Sequence, residues 1–187
     1  LPVVYALSGT PLGVTVGDFN GDGWLDLAAA KINALEVDVL LNDGSGAFLT
    51  PIHFPANKAV SIVAVDLDSD GDIDLATAAG PQVLLNRGTD PGGAWFGFDP
   101  GISYGVGGNW CKVVASDLNG DELVDLAVTD TLVHTVEVLL NIGHGTFQRA
   151  AFMQAGNTPQ FVTAGLINND DLADLVVARH CLPRSGP

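Results

Sequence analysis

The strongest constraint on this chain is an acidic nine-residue stretch that returns at a near-constant interval. It reads DFNGDGWLD at 18–26, DLDSDGDID at 66–74, DLNGDELVD at 117–125 and, more loosely, LINNDDLAD at 166–174. Its first positions, Asp18, Asp66, Asp117 and Leu166, stand roughly 50 residues apart, and a fixed period of that length decides the architecture before any other reading.

Each period carries the same grammar around its loop. A short β-type run precedes it (GVTVGD, SIVAVD, KVVASD, FVTAGL) and an apolar run follows it (DLAAA, DLATA, DLAVT, DLVVA). In the first three periods come VDVLLN, PQVLLN and VEVLLN, then a Gly-rich turn ending in an aromatic. These runs are short, rich in Val, Leu and Ala, and bounded by Gly, Asn and Asp, which marks strands. No window holds the helical period, so helical solenoids are excluded. Four short antiparallel strands per unit describe the blade of a β-propeller. The fold expected is therefore all-β, a single domain over 1–187 of four repeats at about 1–50, 51–100, 101–149 and 150–187.

Counting PVVYAL (2–7) as the outer strand of a unit gives about fifteen strands, or about three and three-quarter blades. That is part of a ring of seven or eight blades, since an open arc leaves unpaired edges. The expected completion is a homodimer or the remainder of a longer chain, with a self-closed four-blade ring as the third possibility.

Counting each loop from position 1, the first places Asp18, Asn20, Asp22 and Asp26 at positions 1, 3, 5 and 9, with the backbone carbonyl of Trp24 at 7. The second offers Asp66, Asp68, Asp70 and Asp74 with the carbonyl of Asp72; the third offers Asp117, Asn119, Asp121 and Asp125 with the carbonyl of Leu123. Oxygen donors on alternate residues of a tight loop converge, and calcium takes six to eight of them. Magnesium demands a stricter octahedron, and softer metals want His or Cys, which these loops lack. An EF-hand would need Glu at position 12 between helices, whereas Ala29, Thr77 and Val128 stand there between strands. Three calcium sites are expected. The fourth loop is expected to be degenerate, because Leu166 and Asp171 replace the usual Asp and Gly. In the third, Glu122 occupies the sharp turn where Gly costs least.

The charge supports the same reading. Of the 22 acidic residues most sit in these loops, against seven Lys plus Arg, so no basic patch exists to bind nucleic acid. No apolar run approaches the length of a membrane span. Cys111 and Cys181 permit one disulfide without demanding it.

The units VGDFNGDGWLDLAAA with VLLNDGSGAF, AVDLDSDGDIDLATA with VLLN, and ASDLNGDELVDLAVT with VLLNIGHGTF resemble FG-GAP/VCBS repeats, the blades of integrin α-subunit propellers and of many secreted proteins. The resemblance implies a propeller with calcium in the loop joining the first and second strands of each blade. It implies no single activity, because such blades serve adhesion, glycan binding and, as scaffolds, polysaccharide-cleaving enzymes.

No catalytic constellation accompanies the loops. His53, His134, His144 and His180 fall at unrelated points of the repeat, GSG (44–46) is a turn, and GVGG (105–108) lacks the setting of a dinucleotide loop. The long turn RGTDPGGAWFGFDPG carries Trp95, Phe96 and Phe98, aromatics able either to present a ligand platform or to fill a blade interface. The expectation is a non-catalytic, calcium-binding recognition or adhesion module for a glycan or protein ligand, placed outside the cell or on its surface. Calcium there is high enough to fill modest sites. The alternative is the scaffold of a secreted polysaccharide lyase or hydrolase whose catalytic residues lie outside this chain.

Overall fold

The computed structural model describes residues 3–78, 80–105 and 112–179. Among them there is no helix and there are fourteen strands in four antiparallel sheets. The first sheet is β1 (Pro11–Gly17), β2 (Asp26–Lys31), β3 (Glu36–Leu40) and β4 (Ile52–Pro55). The second is β5 (Ile62–Val65), β6 (Asp74–Thr77), β7 (Gln82–Leu84) and β8 (Ile102–Ser103). The third is β9 (Val113–Ser116), β10 (Asp125–Asp130), β11 (Thr135–Asn141) and β12 (Phe147–Gln154). The last has two strands, β13 (Pro159–Gly165) and β14 (Asp174–Arg179).

Within each sheet the strands pair in sequence order as a meander. The first strands, β1, β5, β9 and β13, lie side by side. They surround a cavity of about 760 Å³ lined by Thr15, Val63, Val114, Phe161 and Val176 among others. This is a partial ring of propeller blades with the acidic loops at one end of the inner strands. Among the described residues the ring does not close.

The blades pack face to face, so both faces of the middle sheets are buried and their strands read as continuous apolar runs. All four residues of β6 and all three of β7 are buried. Between the first two blades sit Ala28, Ala30, Val37 and Val39 against Ile62, Leu75 and Leu84. Between the second and third sit Ala76, Ala78 and Val83 against Val113, Leu126, Val128 and Leu139. Alanines at these positions let the sheets approach closely while the larger side chains fill the gaps.

Two sequence expectations shift. The outer strands β4, β8 and β12 pair back onto β3, β7 and β11, so the blades end later than cuts at 50, 100 and 149 would put them. Residues 3–10, expected to begin with a strand, form none. Tyr5 holds this run instead. Its ring meets Phe48 edge-on at 5.4 Å and its hydroxyl accepts the Phe48 N–H, as Tyr104 does for Phe147. The run therefore occupies the place of a preceding blade's outer strand without being one. Cys111, Cys181, Trp110 and His180 lie outside the described residues.

Candidate metal centre

Each acidic loop joins the first and second strand of its blade: β1 to β2, β5 to β6, β9 to β10 and β13 to β14. The chain reverses in a left-handed turn at position 6, with φ of 88° at Gly23, 95° at Gly71, 69° at Glu122 and 61° at Asp171. The strain anticipated at Glu122 is thus present in the backbone. A second strained position, Ser69 at φ 66°, was not anticipated.

The side chains build the loop through their own backbone. In the first, Asp18 accepts the N–H groups of Asp22 and Gly23 at 3.1 and 2.8 Å, and Asp22 accepts the N–H of Trp24 at 2.8 Å. In the second, Asp66 accepts from Ser69 and Gly71 at 2.7 and 3.0 Å, Asp68 from Asp70 at 3.2 Å, and Asp70 from Asp72 at 2.9 Å. In the third, Asp117 accepts from Asn119, Gly120 and Glu122, and Asp121 from Leu123. Among the described residues no hydrogen bond reaches the carbonyl oxygens of Trp24, Asp72 or Leu123, which stay free for another partner.

The position-9 acids close the loops from beneath. Asp26, Asp74 and Asp125 are fully buried. Their Oδ2 atoms accept the position-2 N–H of Phe19, Leu67 and Leu118, while their Oδ1 atoms accept the N–H of Asn42, Asn86 and Asn141. Burial raises the carboxyl of each, partly offset by these N–H groups, and pushes Asp74 up to about 7. Burial and then repulsion from Asp70 raise Asp68 as well. A cation in the loop would reverse both effects.

In the second loop, oxygens of Asp66, Asp68 and Asp74 lie within 4.8 Å of one another. The donors are all oxygen, as a hard divalent cation requires. The fourth loop keeps the hairpin but lacks the first acid. Leu166 is exposed there, and Asn168 donates to both Asp170 and Asp174.

A second acidic cluster escaped the sequence reading. Glu36, Asp38 and His53 offer ligand atoms within 4.8 Å of one another, but the Lys31 ammonium already fills the middle. Its Nζ donates to Asp38 and Glu36, both at 2.6 Å, and to Ser8 at 2.9 Å. Burial opposes the charge on Lys31, yet the bonds to Asp38 and Glu36 outweigh it and raise its pKa, so it is neither a base nor a vacancy for metal.

The aromatic turn is divided. Trp95 donates its indole N–H to Asn86 at 2.7 Å and meets Phe54 and Phe98 edge-on, and Phe98 is buried. Phe96 alone faces solvent, beneath the Arg87 guanidinium. Trp95 and Phe98 thus complete a blade interface, and the three rings form no common platform.

The family model described as an FG-GAP-like repeat matches residues 18–77, from the first residue of loop one to the last of β6. No curated protein matches the sequence. The matched segment spans two successive acidic loops, and the same loop joins the same two strands in the blade that follows, so that stretch of the chain is similar to an FG-GAP-like repeat.

Proposed function

We propose that the chain is a calcium-stabilised propeller segment acting as a recognition or adhesion module outside the cell, without chemistry of its own. The observation that carries this is the convergence of Asp66, Asp68 and Asp74 on one point, with the same donor pattern in register in the loops before and after. Asp18, Asn20, Asp22 and Asp26 would hold the first ion, Asp66, Asp68, Asp70 and Asp74 the second, and Asp117, Asn119, Asp121 and Asp125 the third. The free carbonyls of Trp24, Asp72 and Leu123 would complete the shells. Calcium supplies the positive charge that these crowded carboxylates otherwise lack, and it orders the end of the propeller that carries the loops. Modest-affinity sites of this kind fill where calcium is near millimolar, which supports a place outside the cell. The ligand class is a glycan or a protein. Binding of the chain to a glycan array and to cell-surface proteins, with calcium and with chelator, tests this reading. Calcium-dependent capture supports it, and no capture at saturating calcium counts against it.

A further inference from the structure

The loops are not separate units. In the second and third blades the asparagine that follows or ends the third strand bonds to its own loop and to the loop of the blade before it. Asn86 donates its backbone N–H to Asp74 at 2.7 Å, and its side-chain amide donates to the carbonyl of Phe19, position 2 of the first loop, at 2.8 Å. Asn141 repeats this one blade on, with its N–H on Asp125 at 2.8 Å and its amide on the carbonyl of Leu67 at 2.7 Å. Because Leu67 also donates its N–H to Asp74 at 2.7 Å, one unbroken chain of bonds runs Phe19, Asn86, Asp74, Leu67, Asn141, Asp125, Leu118. Both asparagines are buried, at 4% and 2% exposure, where a broken bond leaves a polar group without water. Thr89 adds a second tie, its hydroxyl donating to the carbonyl of Asn20 at 2.7 Å.

We infer that Asn86 and Asn141 couple the calcium sites of neighbouring blades, so that the three loops fill cooperatively. The inference rests on the calcium reading above. An ion that fixes Asp74 fixes the Asn86 backbone, whose side chain then holds the Phe19 peptide between two ligands of the first loop, Asp18 and Asn20. The effect is reciprocal, as any coupling between binding sites must be. Asn42 is the built-in control. It bonds Asp26 and the carbonyl of Leu25 in its own blade and reaches no other loop.

The test is a calcium titration of the full chain, followed by calorimetry and by the NMR amide signals of Gly23 for loop one and Gly71 for loop two. Emptying loop two with Asp68→Ala is expected to weaken loop one by roughly five-fold or more, the lower range of site-to-site coupling. In an Asn86→Ala background the same substitution is expected to leave loop one unchanged, whereas an Asn42→Ala background keeps the full effect. A purely structural role would lower affinity in both backgrounds and preserve the coupling in both. If Asn86→Ala does not fold, Thr89→Val serves instead, since it removes a cross-blade bond at an exposed site, and it is expected to reduce the coupling in part. Loop-one affinity indifferent to Asp68→Ala in the parent chain overturns the inference while leaving calcium binding intact. So does coupling that survives Asn86→Ala or, where that variant fails to fold, is undiminished by Thr89→Val. A parent chain that takes up no calcium at all defeats the functional reading itself.

Discussion

Loop two (66–74) and loop four (166–174) trace the same hairpin with different consequences. In both, position 9 accepts the position-2 N–H, at 2.7 Å from Leu67 to Asp74 and 3.0 Å from Ile167 to Asp174. In both, position 5 accepts the position-7 N–H, at 2.9 and 3.1 Å. Only loop two has an acid at position 1, taking two N–H groups, and among the described residues only loop two of this pair has a third strand followed by an asparagine that seals position 9. The turn and the proposed cation site are therefore separable. Asx residues at positions 3, 5 and 9 are enough for the turn, whereas the proposed cation site also calls for an acid at position 1.

The comparison breaks most visibly at position 9. Asp74→Ala strands the buried N–H groups of Leu67 and Asn86, and at about 1–3 kcal/mol for each unsatisfied group the loss is roughly 2–6 kcal/mol. Asp174→Ala, half-buried and unsealed, is expected to cost about 1 kcal/mol. Denaturant melts of both variants in chelator measure the gap, and equal losses would erase the distinction.

Calcium itself should separate the loops next. Saturation at 100 times Kd stabilises each filled site by about 2.7 kcal/mol, so thermal melts with calcium and chelator should differ by several degrees at least. Asp70→Ala should lose part of that shift and Asp170→Ala none.

Acidity adds a third contrast. Burial pushes the carboxyl of Asp74 up to about 7 in the folded chain, above its unfolded value. A raised folded pKa contributes stability that is fully present below the unfolded value and is lost as pH rises through the folded one. In chelator, the chain should therefore lose stability between about pH 4 and pH 7 through this group. Asp74→Asn should flatten that slope in a denaturant series across the same window.

The comparison sharpens by construction in the other direction. Leu166→Asp restores the missing acid, and calcium stoichiometry by equilibrium dialysis should rise toward one further ion. The smallest effect concerns the turn alone. Glu122→Gly and Asp171→Gly relieve left-handed backbone and should each stabilise the chelated protein by about 1 kcal/mol, read from denaturant midpoints.

Much of the fold was legible in the chain because charge and period coincide. Acids at alternate positions of a recurring loop have few uses other than a cation, and the apolar runs beside them placed both flanking strands. The asparagines of VLLN were not legible as inter-blade ties, since Asn after a strand reads as an ordinary turn residue and its acceptor is the carbonyl of Phe19 or Leu67, far away in sequence. Lys31 was hidden for the same reason: its partners Ser8, Glu36 and Asp38 meet only when β2 and β3 pair beneath the opening run. Ser69 gave no warning because serine is common in turns and its residue type does not mark a left-handed one. The aromatics of the long turn were ambiguous until Phe54, from the neighbouring blade, supplied the surface that Trp95 and Phe98 pack on.

The most direct measurement is calcium stoichiometry of the full chain by equilibrium dialysis at millimolar calcium. Three ions are expected, falling to two in Asp66→Ala and staying at three in Asp170→Ala. No bound calcium, or the same count in Asp66→Ala as in the parent, would contradict the account.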